Sequence, residues 1–136
     1  MKEHPVSVES SVRYDGTTGE ADFDYVFPED TELTGYCKLR LWVEADGHDD
    51  MDLFITIKKL STEGVEQPVT FFGGTAPHPG AWGKMRVSHR ELDEPLSTDY
   101  QPVQAHRREQ KLSPGEIVPV DIELSPFSRV WHAGET

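Results

Sequence analysis

The stretch GHDDMDLF, Gly47 to Phe54, sets His48, Asp49, Asp50 and Asp52 directly before an apolar run. Three chemistries suit such a set. Carboxylates and an imidazole can ligate a metal, or exchange protons as general acid and base. Aspartates can instead brace a turn by accepting bonds from nearby backbone N–H groups. As a calcium loop the stretch is incomplete. It lacks the alternating D-x-D-x-D-G order and the glutamate at the twelfth position. Calcium held by Asp49, Asp50 and Asp52 therefore stands only as a rival reading. Acid–base work would need a pocket and a partner base, and a stand-alone carboxylate enzyme is the weakest option. The structural reading puts Gly47, His48 and Asp49 in a turn. Asp52 then lies on the flank of a strand, where a half-buried carboxylate needs a partner.

A partner is available. RVSHR carries Arg86, Ser88 and Arg90 on one parity of an extended segment. A planar guanidinium can hold a carboxylate through two parallel bonds. Asp50 or Asp52 is therefore expected to pair with Arg86 or Arg90.

Other reaction chemistries find little footing. There is no G-x-S-x-G nucleophile elbow for a serine hydrolase. Cys37 falls on the apolar parity of a strand and reads as a buried, inert thiol. The six histidines, His4, His48, His78, His89, His106 and His132, form neither H-x-x-x-H nor H-E-x-x-H. No catalytic residue, metal ligand set or cofactor is assigned. Trp42, on the polar parity of its strand, and Trp82, in a Gly/Pro-rich loop, are candidates for protein or ligand contact.

The elements that position these residues read as strands. GYCKLRLWVEA alternates Cys37, Leu39, Leu41 and Val43 against Lys38, Arg40, Trp42 and Glu44. MDLFITIKKL follows with Leu53, Ile55 and Ile57 inward, so the two runs form a hairpin or cross between sheets around the aspartate corner. VSVESSVRY, ADFDYVF, PVTFF and KMRVSHREL suggest further short strands. EIVPVDIEL alternates Val118, Val120, Ile122 and Leu124. Ten prolines spread along 136 residues disfavour long helices. Short strands with frequent turn signals predict one all-β domain over residues 1–136, a jelly-roll β-sandwich.

Composition bounds the partners. A net charge of −12 argues against nucleic acid and anionic membranes, which call for clustered Lys and Arg. No run is long enough to span a bilayer. A single cysteine precludes an internal disulfide framework and suits a reducing, cytoplasmic compartment. The N-terminus has no apolar signal segment.

The ordered stretches ELTGYCKLRLWVEADGHDDMDLFITI, GKMRVSHREL, EQKLSPGEIVPVDIELSP and SRVWHAGE resemble one family. It is the C-terminal domain of X-Pro dipeptidyl-peptidases and cocaine-esterase-like (CocE/NonD) serine hydrolases. The resemblance covers most of the chain from Glu32 onward. It implies a galactose-binding-like jelly roll that packs on an α/β-hydrolase domain and carries no triad residue of its own. The family's D-x-D matches Asp50 and Asp52, and its R-x-S-x-R matches Arg86, Ser88 and Arg90. Its P-G-E turn matches Pro114, Gly115 and Glu116. In relatives the segment after "aGE" enters another strand. The chain is thus expected to be a C-terminal piece of a larger hydrolase lacking a last strand, with an open edge or a second copy covering it. The expected role is accessory and non-catalytic: supporting the catalytic domain and shaping its substrate entrance, with a second copy of the chain as a further candidate partner (a homo-oligomer). A jelly-roll carbohydrate-binding module, with Trp42 or Trp82 and calcium, is the alternative.

Overall fold

The computed structural model describes residues 11–69 and 80–136. Among these residues, four strands carry the fold: β1 (Thr31–Val43), β2 (Asp52–Thr56), β3 (Trp82–Arg86) and β4 (Val118–Trp131). One 3-10 turn, Val87–His89, follows β3. The strands form two antiparallel pairs, β1 with β4 and β2 with β3. The two runs flanking the aspartate corner therefore lie in different sheets, and the corner is a crossing between them. The fold is an all-β sandwich, as the alternation predicts.

The core lies between the pairs. Leu53 and Met85 from one sheet meet Val118, Val120 and Ile122 from the other, with Ala45, Val87 and Leu112 closing the cluster. Register explains why. Leu41 faces Val120, Leu39 faces Ile122 and Cys37 faces Leu124, so the apolar parities of β1 and β4 coincide. The register then shifts between Gly35 and Cys37, where β4 holds the extra residue. This bulge sits at Ser125–Pro126, where a proline that cannot donate to the ladder is tolerated. Beyond it the inward parity of β4 switches to Phe127, Arg129 and Trp131. β4 thus runs seven residues further than the alternation ending at Leu124 suggests.

A second packing centre forms around Trp131. Phe27 stacks on it with ring centroids 5.2 Å apart, and Phe127 meets it edge-on at 6.1 Å. The terminal segment is tied in by backbone bonds. Phe27 N–H donates to Glu135 O, and Leu60 and Thr136 exchange N–H···O bonds in both directions.

Some expected strands are not present. Residues 11–27 form no strand, and Val12, Tyr14, Phe23 and Tyr25 are exposed; only Phe27 is buried. Among the described residues their alternating side chains pair with no strand. Residues 6–10 of the first expected strand, and residues 70–72 of PVTFF, lie outside the described residues. Among the described residues, each strand has a strand partner on one side only, so both sheets have open edges.

Candidate functional site

The aspartate corner is held by three segments. Asp50 Oδ1 accepts from the N–H of Ser88 at 2.9 Å and of Met51 at 3.0 Å. Its Oδ2 accepts from the Ser88 hydroxyl at 2.8 Å and from Lys111 Nζ at 3.3 Å. Backbone bonds reinforce the clasp: Val87 N–H donates to Met51 O, Gln110 N–H to Ser88 O and Leu112 N–H to Asp49 O. Burial alone would raise the Asp50 carboxyl. The bonds from Ser88, Lys111 and Met51 outweigh it, and its pKa falls below the usual carboxylate range.

Asp52 sits on β2 directly opposite Arg86 of β3. Arg86 Nε and one terminal nitrogen each donate to an Asp52 oxygen at 2.8 Å, in fork-to-fork geometry. The guanidinium bonds lower the Asp52 pKa, and the same contact raises that of Arg86. Both side chains remain about half exposed. Arg90, the other arginine of the motif, holds no carboxylate among the described residues. It donates to the carbonyl oxygens of Val87 and Gln110. The 3-10 turn at Val87–His89 breaks the extended parity that would have set it beside Arg86.

The rival calcium site does not assemble. Asp49 is exposed, 3.8 Å from Lys111, while Asp50 and Asp52 are committed to other partners. No group of three or more His, Cys, Asp or Glu side chains among the described residues is placed to hold a metal. The corner offers a hard cation neither the count nor the freedom of oxygen ligands it needs.

Trp82 opens β3 rather than lying in a loop, and it is 47% exposed; Trp42 on β1 is 66% exposed. The two belong to different sheets, so they do not build one platform. Trp82 instead lies diagonally across the pair from Phe54, itself 78% exposed, on the outer face of β2–β3.

Two further polar sites escape the sequence reading. Arg40 and Asp121 face each other across β1 and β4 and form a two-bond pair at 2.6 and 2.7 Å, with Lys38 3.6 Å away. That pairing lowers the Asp121 pKa. The signal was present: Lys38 and Arg40 lie on the polar parity of one strand, and Asp121 and Glu123 on that of the other. Lys59 and Glu135, both buried, meet at 2.6 Å, and Lys59 also donates to Val130 O. The Lys59 bond, with that from His132 N–H, lowers the Glu135 pKa. Nothing in the local pattern of KKL or AGET announces that pair, since its partners are 76 positions apart.

Fold and site together define a β-sandwich module whose acids are braced rather than poised to react. The comparisons agree. The family model for the X-Pro dipeptidyl-peptidase C-terminal non-catalytic domain matches residues 4–136. The chain belongs to that family. Two crystal structures of a CocE/NonD family hydrolase from Staphylococcus aureus are each similar to it at 48% identity and a TM-score of 0.77. Each match covers 82% of this chain and 20% of the hydrolase, so the chain spans about a fifth of that enzyme's length. No curated protein matches. Among the described residues, no helix is long and apolar enough to cross a membrane.

Proposed function

We propose that this chain is the accessory domain of a larger serine hydrolase acting on ester, amide or Xaa-Pro bonds. It docks on an α/β-hydrolase catalytic domain of the same parent protein, braces it and walls part of its substrate entrance. The observation that carries the proposal is the match of residues 4–136 to a non-catalytic hydrolase domain. The chain's correspondence to a fifth of a CocE/NonD hydrolase supports it. So does the outer face of β2–β3, where Phe54 and Trp82 expose large apolar rings.

The test is a domain exchange. The region of the Staphylococcus aureus hydrolase matched by this chain is replaced by the chain itself, and turnover of a p-nitrophenyl ester is compared with that of the truncated enzyme. The expected result is activity in the chimera, little in the truncation and none in the chain alone. Serine-dependent turnover by the chain alone, or full activity in the truncation, overturns the proposal.

A further inference from the structure

Outside the aspartate corner, two histidines converge. His89 ends the 3-10 turn after β3, and His106 lies in the long connection before β4. Their Nδ1 atoms are 3.3 Å apart and their ring centroids 5.4 Å apart. Both line an open hollow of about 520 Å³ beside β2–β3, shared with Asp52, Phe54, Lys84 and Arg86.

The spacing is chemically specific. A divalent transition ion binds imidazole nitrogen at about 2.0–2.1 Å, so two nitrogens at a tetrahedral angle stand roughly 3.3–3.4 Å apart. The two Nδ1 atoms already have that separation. Modest ring rotation about the Cβ–Cγ bonds would direct both lone pairs to one point in the hollow. The far nitrogen of His89, Nε2, lies 3.9 Å from a Glu109 carboxylate oxygen. That is longer than a hydrogen bond, so Glu109 does not fix the tautomer of the ring; it adds a negative charge beside it, which favours a bound cation. The backbone contributes as well. His106 is the one non-glycine with positive φ among the described residues, at 50°. A left-handed residue of this kind is uncommon, and here it accompanies the presentation of the ring to His89. Arg86 does not repel a cation strongly, because Asp52 neutralises it. Lys84 is the remaining cation of the wall and favours an anion or hydroxide on the open coordination positions.

We propose that His89 and His106 form a two-histidine site for a borderline-soft divalent cation of the zinc, nickel or copper type. Water or an anionic group would complete its coordination. Imidazole ligands favour these ions over calcium or magnesium. With two protein ligands the site is open rather than a closed structural one.

The test uses the 136-residue chain. Calorimetric titration with Ni²⁺ or Zn²⁺ in a non-coordinating buffer is expected to show saturable binding of one ion. The variants are His89→Gln and His106→Asn, asparagine being tolerant of positive φ. Each is expected to weaken binding about ten-fold or more, and the pair together to abolish it. His48→Ala is expected to leave binding unchanged. In the unaltered chain, substoichiometric Cu²⁺ should broaden the ring resonances of His89 and His106 before those of His48 and His132. That readout stands even if a variant folds poorly. No saturable binding, equal affinity in the double variant, or broadening that starts at His48 or His132 overturns the site. It would leave the pair as two imidazoles sharing one proton.

Discussion

Asp50 and Asp52 stand two residues apart, yet their losses should differ sharply. Ser88 is wholly buried, and both its N–H and its hydroxyl end on Asp50. Asp50→Ala orphans those groups, at about 1–3 kcal/mol for each buried donor left unpaired. A loss of about 2–4 kcal/mol in denaturant unfolding is expected for the two groups together. Asp50→Asn should fall between, because one amide position now presents donors to Ser88 Oγ and Lys111. Asp52→Ala releases Arg86 to water, and because both side chains are about half exposed its loss should stay under about 1 kcal/mol. The acids also set the pH response. Asp50, Asp52, Asp121 and Glu135 all have folded-state pKa values below their ordinary ones. The unfolded chain therefore binds more protons than the native one as pH falls. The stability these groups supply is present above about pH 4, the unfolded carboxylate range, and is lost as pH drops through their folded values. Unfolding midpoints between pH 7 and pH 2 check this. The acid slope should be shallower in Asp50→Asn, which removes one of the four.

At the scale of elements, the crossing of β3 over β4 depends on Gly83. A Cβ there would lie 2.3 Å from the Glu123 carbonyl oxygen and 2.8 Å from a Leu124 methyl. Neither a backbone carbonyl nor a core leucine yields cheaply, so Gly83→Ala should cost on the order of 1–3 kcal/mol through overpacking. Chemical denaturation measures it, and Gly64→Ala, where space is open but φ is positive, separates a clash from backbone strain. The Lys59–Glu135 pair joins the start of the 60s turn to the terminal segment. Lys59→Met strands a buried carboxylate, while Lys59→Met with Glu135→Leu removes both charges. The double variant should melt higher than the single one, and a lower melting point would show that Glu135 stabilises without Lys59, through the bond it accepts from His132 N–H. These elements were unequally legible in the sequence. β1, β2 and the first half of β4 announce themselves by strict alternation, because each has one buried face. The second half of β4 did not, since the bulge at Ser125–Pro126 exchanges its faces and breaks the two-residue period. ADFDYVF misled in the opposite direction: its alternation is strand-like, but pairing is a tertiary property and no neighbour supplies it. At the corner, Asp52 opposite Arg86 follows from strand parity. The capture of Ser88 by Asp50 and of carbonyls by Arg90 depends on a 3-10 turn that periodicity does not mark. The histidine pair was invisible, because residues 89 and 106 belong to irregular segments brought together by the fold.

For the whole molecule, the outer face of β2–β3 is where a docking surface is best argued. Phe54 is the most exposed large apolar side chain among the described residues, and Trp82 lies diagonal to it across the strand pair. Inward-facing Leu53 and Met85 hold the sheet, so changing Phe54 does not touch the core. With a net charge of −12, two copies repel at low salt, and added salt screens that repulsion over about 10 Å at 0.1 M. A heterologous catalytic domain without such charge would not be opposed in this way. Covering a phenylalanine ring is worth about 2 kcal/mol, or roughly 30-fold in affinity. Phe54→Lys should therefore weaken binding of the chain to the truncated Staphylococcus aureus hydrolase by roughly 30-fold while leaving its far-UV circular dichroism and melting point unchanged. Arg13→Ala, on the exposed segment before β1, serves as the comparison and should have little effect, since its contact with Asp46 is solvent-exposed. Surface plasmon resonance with the hydrolase immobilised measures both. Equal affinity for Phe54→Lys and the unaltered chain would move the docking surface away from β2–β3. The exposed aromatic segment of residues 23–26, where Phe23 and Tyr25 face solvent, would then be the next face to substitute.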